Sequence, residues 1–259
     1  MINKFSGKRI LLVGATGVLG RCYAEAISKL DVSLVIADVK QSDVLSYAED
    51  LGVKGVEVDI SDEDSVISCL KYVKDQLGGL DSIINNAAAT GEGLMKEGGV
   101  FEDFENYPLS VWQKTIDINL TGAFLLAREA GRLIKQTSKN GNMIHISSIY
   151  GVVAPDHRIY KDQPFKSFSG YSASKSGIIG LSKWLATWWG GVIRVNCVSP
   201  GGVFNGHNDE FVKSYGDRVP MGRMADREEL VGIILYLLSD SSSYVTGQNF
   251  IIDGGLTAW

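Results

Sequence analysis

The sequence predicts an α/β protein built on a parallel sheet, and three observations carry that expectation. Short apolar runs bounded by turn residues alternate with longer stretches whose apolar residues recur at helical spacing. The first run ends in a glycine-rich turn, Gly14-Ala15-Thr16-Gly17-Val18-Leu19-Gly20. The second ends in a carboxylate, Asp38. Strands that alternate with helices pair in parallel through right-handed crossovers, so the strand ends and the loops after them gather on one edge, where ligands bind.

The 259 residues are 45% hydrophobic, enough for a large core, and no linker, repeat or low-complexity tract divides them. A formal net charge of -5 without a run of lysine and arginine excludes a nucleic-acid partner. No signal-peptide core opens the chain and no apolar run is long enough to span a membrane, so the protein is expected in the cytoplasm. Cys22, Cys69 and Cys197, like His145, His157 and His207, are scattered without ligand spacing, and no metal site is expected.

The elements follow in order. Arg9 to Val13 is a strand, the glycine turn follows, and Cys22, Ala26, Ile27 and Leu30 mark a helix. In such a unit glycines serve either a plain turn or close approach to a pyrophosphate met by helix N-terminal amides. The strand Ser33 to Ala37 ends at Asp38, whose carboxylate can accept both hydroxyls of an adenosine ribose and would repel a 2′-phosphate. That favours NAD over NADP, with Lys40 nearby pulling the other way. Next come a helix near Ser42 to Leu51, a strand Gly55 to Val58 leading into Asp59-Ile60, and a helix capped by Ser61 or Asp62 and running to Leu77. Asp81 to Ile84 is the fourth strand, and Asn85-Asn86-Ala87-Ala88 after it suits a flat ring or a plain turn.

From Thr90 to Pro108 the pattern breaks, as a substrate lid or a surface insertion. A long helix from Leu109 to Lys135 carries Asn119 among apolar residues, where an amide bonds a neighbouring backbone or a water. In the strand Asn142 to Ile146, His145 reads as a core histidine, whereas Ser148 stands at the strand's carboxyl end. Val152 to Ser169 is basic and aromatic, with His157, Arg158, Tyr160, Lys161 and Lys166, and either binds a polar or anionic substrate or is solvated. Tyr171 and Lys175, four apart on the next helix, share a face. A phenol working as acid and base near neutrality needs a shift of about 3 pH units from its usual value near ~10, much of which a neighbouring ammonium can supply. Strand six, Val192 to Val198, breaks at Ser199-Pro200-Gly201-Gly202-Val203. A flap from Gly206 to Gly222, helical around Asp209 to Ser214, precedes a helix Asp226 to Ser239 and a last strand Asn249 to Ile252.

Together the glycine turn, Asp38, Asp59, Asn85-Asn86-Ala87, Asn119, Ser148, Tyr171 with Lys175, and Pro200-Gly201 resemble the short-chain dehydrogenase/reductase family, in its classical single-domain branch, across the whole chain. The resemblance implies a Rossmann-type three-layer αβα sandwich around a seven-stranded parallel sheet ordered 3-2-1-4-5-6-7, with substrate loops at 90–108, 152–169 and 204–222. It implies a cofactor on Gly14, Thr16, Gly17, Leu19, Gly20, Asp38, Val39, Asn86, Ala87 and Ala88, with Asp59 and Ile60 at adenine and Pro200, Gly201 and Val203 at the nicotinamide carboxamide. Tyr171 would move the alcohol proton and Lys175 would lower its pKa and bond the nicotinamide ribose. Ser148 would hold the reacting oxygen, and Asn119 would link Lys175 to solvent through backbone and water. Tyr150, His157, Arg158 and Gly202 are the substrate-side expectations, and a homotetramer packed through the two long helices is implied.

Val13, Val18, Ala88 and Asn205 depart from the family pattern, and the Asn86-to-Asn119 and Ser148-to-Tyr171 segments are longer than its norm. The expected activity is NAD(H)-dependent interconversion of a secondary alcohol and a ketone on a sugar-like or hydroxy-acid substrate. Ser148 to Pro155 is similar to short-chain enzymes of bacterial surface-sugar and flagellin-glycan pathways. The alternatives are a fatty-acyl ketoreductase, against which Asp38 argues, and an NAD-binding regulator without turnover, against which the complete catalytic set argues.

Overall fold

In a computed structural model, which describes residues 5–90, 94, 104–160 and 167–259, the apolar runs form seven parallel strands. They are β1 (Lys8–Val13), β2 (Val32–Asp38), β3 (Lys54–Glu57), β4 (Ser82–Asn85), β5 (Gly141–Ile146), β6 (Ile193–Pro200) and β7 (Asn249–Ile252). Their order is β3-β2-β1-β4-β5-β6-β7, as expected. Both faces of the sheet are buried, which explains why the central strands read as unbroken apolar runs. Leu11, Val13, Val35, Ile83, Met143 and Val195 pack on one side. Ile10, Leu12, Ile36, Ile84, Ile144 and Val198 pack on the other. Each such side chain contributes about 1.5–3 kcal/mol when fully buried.

The helices are α1 (Val18–Ile27), α2 (Gln41–Leu51), α3 (Glu63–Leu77), α4 (Leu109–Ile116), α5 (Gly122–Thr137), α6 (Ser169–Trp188), α7 (Asp209–Gly216) and α8 (Val231–Leu238). Of the two candidate caps of α3, Asp62 does the work: its carboxylate accepts the Ser65 amide at 2.7 Å. The single helix expected from Leu109 to Lys135 is instead α4 and α5 joined by a π-helical segment, Asp117–Thr121. The widened turn carries Asn119, and its amide grips the main chain of Ala89 from both sides. The helix expected from Asp226 is also divided. A capping box between Asp226 and Glu229 opens a 3₁₀ turn, Arg227–Leu230, before α8. Residues 91–93 and 95–103 of the loop read from Thr90 to Pro108, and Lys161 and Lys166 of the segment before Tyr171, lie outside the described residues.

One ion pair locks the amino edge of the sheet. Arg9 on β1 donates to both carboxylate oxygens of Asp81, each at 2.8 Å, and to the Thr137 carbonyl at the end of α5 at 2.7 Å. Burial pushes the Asp81 carboxyl up, but hydrogen bonds from Arg9 and Ser138 and the Arg9 charge outweigh it and hold the pKa below normal. A depressed carboxyl contributes stability above its unfolded pKa and loses it as pH falls through the folded one. Both groups keep about a fifth of their surface exposed, so Arg9→Met is expected to cost about 2 kcal/mol rather than the full cost of breaking a buried pair. Urea unfolding at pH 7 and at pH 3 measures it. The loss should shrink at the lower pH, and an equal loss at both would contradict this account.

Candidate active site

The carboxyl edge collects the expected residues. Gly14, at φ 77°, lies so close to the next turn that a Cβ would stand 2.5 Å from the Ala87 amide nitrogen, and one on Gly20 would stand 2.0 Å from the Gly14 carbonyl oxygen. These two glycines serve the protein's own packing. Gly17 does not: it is exposed, and a Cβ there would meet nothing nearer than the Gly14 oxygen at 3.8 Å. It is also the N-cap of α1 and offers no side-chain cap, which leaves the first amides of the helix as groups that could hold a pyrophosphate. Leu19 packs against the core. Asn86 donates to the Gly14 carbonyl at 2.8 Å and so braces the turn, with Ala87 tucked against it and Ala88 partly buried beyond.

Asp38 ends β2 beside this turn, and the Thr16 amide and hydroxyl donate to its Oδ2 at 2.8 and 2.7 Å, and the Val39 amide to Oδ1 at 2.8 Å. The carboxylate therefore holds the glycine turn, and Oδ1 keeps the greater capacity to accept a ribose hydroxyl. Val39 is exposed beside it. Asp59 is exposed and accepts the Ser61 amide and hydroxyl at 2.9 and 2.6 Å. The Ile60 side chain is buried against Gly122.

The catalytic expectations converge at the end of β5. Ser148 stands two residues past the end of β5, and its Oγ accepts the Tyr150 amide at 3.2 Å. Tyr171 and Lys175 come from the first turns of α6. The Lys175 ammonium lies 5.5 Å from the centre of the Tyr171 ring and donates to the Ile146 carbonyl at 2.9 Å. Lys175 is 2% exposed, and burial lowers its pKa to about 8. An ammonium has three protons to place, and among the described residues the Ile146 carbonyl is its one hydrogen-bond acceptor. The Tyr171 pKa lies above its ordinary value. Burial raises it, a hydrogen bond with Ser148 opposes the rise, and the lysine charge sits against the ring. The protein by itself thus presents a protonated phenol at neutral pH.

Asn119 reaches this cluster through Ser174, whose Oγ it meets at 3.1 Å and which in turn donates to the Tyr171 carbonyl at 2.8 Å. Ser147 donates to the Lys175 carbonyl at 2.8 Å. Both serines fix the first turns of α6. Their only signal in the sequence was adjacency to Ser148 and Lys175. His145 is buried with its pKa lowered to about 4, mainly by burial and secondarily by Lys175, as suits a neutral core histidine.

On the substrate side, Tyr150 shares a 2.7 Å hydroxyl bond with Tyr160. His157 and Arg158 are exposed, and Arg158 forks onto Asp156 at 2.7 and 2.9 Å, with Arg218 on the same carboxylate. Arg158 is therefore engaged within its own loop. Pro200 ends β6, the Gly201 amide donates to Ile252 at 2.8 Å, Gly202 donates to the Tyr215 hydroxyl, and Val203 bridges to Ala225. Among the described residues no three His, Cys, Asp or Glu side chains gather as a metal site, and no helix is long and apolar enough to cross a membrane.

A family model described as enoyl-(acyl carrier protein) reductase matches residues 14–257. The chain is similar to a trans-4-hydroxycyclohexanecarboxylate dehydrogenase of Sinomonas cyclohexanicum, at 32% identity over 99% of this chain and 95% of that one. It is also similar to an NADH-dependent L-xylulose reductase of Ambrosiozyma monospora, at 31% identity over 99% of this chain and 97% of that one. Among solved structures, a short-chain dehydrogenase from Leptospira borgpetersenii serovar Hardjo-bovis with bound NAD+ superposes with a TM-score of 0.86. It is 33% identical and covers 99% of this chain and 97% of its own.

Proposed function

The chain belongs to the short-chain dehydrogenase/reductase family, whose members are NAD(P)-dependent oxidoreductases, and on that premise we propose that it interconverts a secondary alcohol and a ketone with NAD(H). The observation that carries the reading is the buried Lys175 ammonium beside Tyr171 and Ser148 at the carboxyl edge. Burying such a charge costs several kcal/mol, and a ribose that accepts its remaining protons gives it a use. When bound, the nicotinamide accepts or supplies the hydride. In reduction the Tyr171 hydroxyl gives its proton to the carbonyl oxygen, while the Ser148 hydroxyl holds that oxygen and stabilises its developing charge. In oxidation Tyr171 takes the proton back. Its raised pKa suits the acid role as the protein stands, and the base role calls for added positive charge at the site.

We take the whole chain as one dinucleotide-binding domain, with the loops 90–108, 152–169 and 204–222 bordering a polar substrate, sugar-like or a hydroxy acid. The pairing of a hydroxy-acid dehydrogenase and a sugar reductase among the similar proteins supports that class. The description of the matched family model favours a second reading, a reductase of acyl thioesters. The exposed side chains of Phe124 on α5 and of Trp184 and Trp188 on α6, the tryptophans stacked 5.1 Å apart, support assembly through these helices as a homotetramer. A cytoplasmic site of action suits three buried cysteines, all free.

The cofactor choice tests the reading at Asp38. Fluorescence titration is expected to show NADH binding about tenfold or more tighter than NADPH, through one charge-assisted hydrogen bond gained and one phosphate repelled. Asp38→Ala should erase that preference and weaken NADH, since Thr16 also loses its anchor. A wild-type protein that binds NADPH more tightly than NADH would overturn the assignment.

A further inference from the structure

The loop Pro200 to Phe204, where the proposed nicotinamide end lies, is pinned at several points. Gly201 donates to Ile252 at 2.8 Å, Ala225 donates to Gly202 at 2.9 Å, and Phe204 donates to Ala225 at 2.9 Å. These pins join main chain to main chain. Gly202 has a further one from a side chain: its amide donates to the Tyr215 hydroxyl at 2.5 Å. The Tyr215 ring also lies flat against Gly202, since a Cβ added there would stand 2.6 Å from ring carbon Cζ and 2.9 Å from both Cε atoms. Tyr215 is buried, and it sits on α7, within the flap that follows this loop.

The same ring belongs to a small apolar cluster with Ile149, Tyr160, Phe211, Val219 and Met224. Ile149 follows Ser148 directly, and Tyr160 belongs to the long segment before Tyr171. The cofactor loop and the wall beside the catalytic serine therefore share one support.

The geometry points to Tyr215 as a positioning residue that sets the nicotinamide loop through Gly202, an inference that rests on the cofactor reading above. The phenol does not touch the reacting atoms. It fixes where the loop's amides stand, and it ties that position to the flap and to the segment after Ser148. A purely structural tyrosine would affect stability and the binding of any part of the cofactor alike. A positioning one affects the nicotinamide end alone.

Calorimetric titration of the full chain with NADH and with ADP-ribose, which lacks the nicotinamide, separates the two. Tyr215→Phe keeps the ring and its packing and removes the hydroxyl. It is expected to weaken NADH about fivefold, the effect of one hydrogen bond, and to leave ADP-ribose unchanged. Gly202→Ala, whose methyl group would meet the ring, should show the same signature by displacing the loop. Equal weakening of both ligands by Tyr215→Phe, or no change in NADH, overturns the proposal while the cofactor reading stands. A wild-type protein that binds neither ligand overturns both.

Discussion

Tyr171→Phe is expected to lower turnover about 10³-fold or more, within the upper range for loss of a positioned acid–base group, while the protein folds and binds NADH nearly as before. The ring stays, so its packing against the Lys175 ammonium at 5.5 Å stays as well. What goes is the one proton the substrate oxygen receives, and the hydrogen bond shared with Ser148. Ser148 alone can still polarise a carbonyl, which sets the residual rate. A stopped assay with any substrate the wild type accepts measures the loss, and a variant with more than a tenth of wild-type turnover would refute the proton-transfer role.

Lys175→Met should separate activity from stability. Burial holds the ammonium's pKa at about 8 against an ordinary 10.5, a cost of about 3 kcal/mol wherever both states are protonated. The sign follows from the direction. The folded state gives up its proton first, so the cost is full below pH 8 and fades between 8 and 10.5. Methionine removes the charge and forfeits the bond to Ile146, worth about 1 kcal/mol, so a net gain of about 2 kcal/mol is expected at pH 7. Turnover should fall by about 10² or more, since the ribose contact and the charge beside Tyr171 both go. Urea unfolding at pH 7 and pH 10 checks the first part. A variant less stable than wild type at pH 7 would mean that the ammonium is better satisfied than its one partner among the described residues suggests.

Sequence and structure agree where a local rule governs. Tyr171 and Lys175 met because the helical period places residues four apart on one face, and the parallel sheet followed from apolar runs alternating with helices, while the order of its strands came with the family resemblance. Asp38 stands where a strand end demanded it. Its bonds to Thr16 could not be read, because they depend on how closely the first two strands bring their loops together. Asn119 was legible as an amide out of place in an apolar helix, but the π-helical turn that accommodates it was not. That turn sets the Asn119 amide against the main chain of Ala89, thirty residues away in the chain. The basic character of the segment before Tyr171 was real and its use was not visible, since Arg158 turns to Asp156 on its own loop. Tyr215 gave no signal, because only the folded flap lays its ring against Gly202.

The raised pKa of Tyr171 shows the limit of reasoning from spacing alone. Four residues along a helix put an ammonium near a phenol, but burial acts on both groups and here acts more strongly. The lysine ammonium lies 5.5 Å from the centre of the ring, and a base role for the phenol calls for further positive charge at the site.

The central claim is hydride transfer between NAD(H) and a polar secondary alcohol or its ketone. Absorbance at the NADH band, followed while the wild-type protein meets NAD+ and a panel of polyols, sugars, sugar acids and cyclic hydroxy acids, tests it most directly. The account predicts NADH formation with at least one member and its loss in Tyr171→Phe. Silence across the whole panel, with NADPH-driven reduction of acyl thioesters by the same preparation, would contradict it.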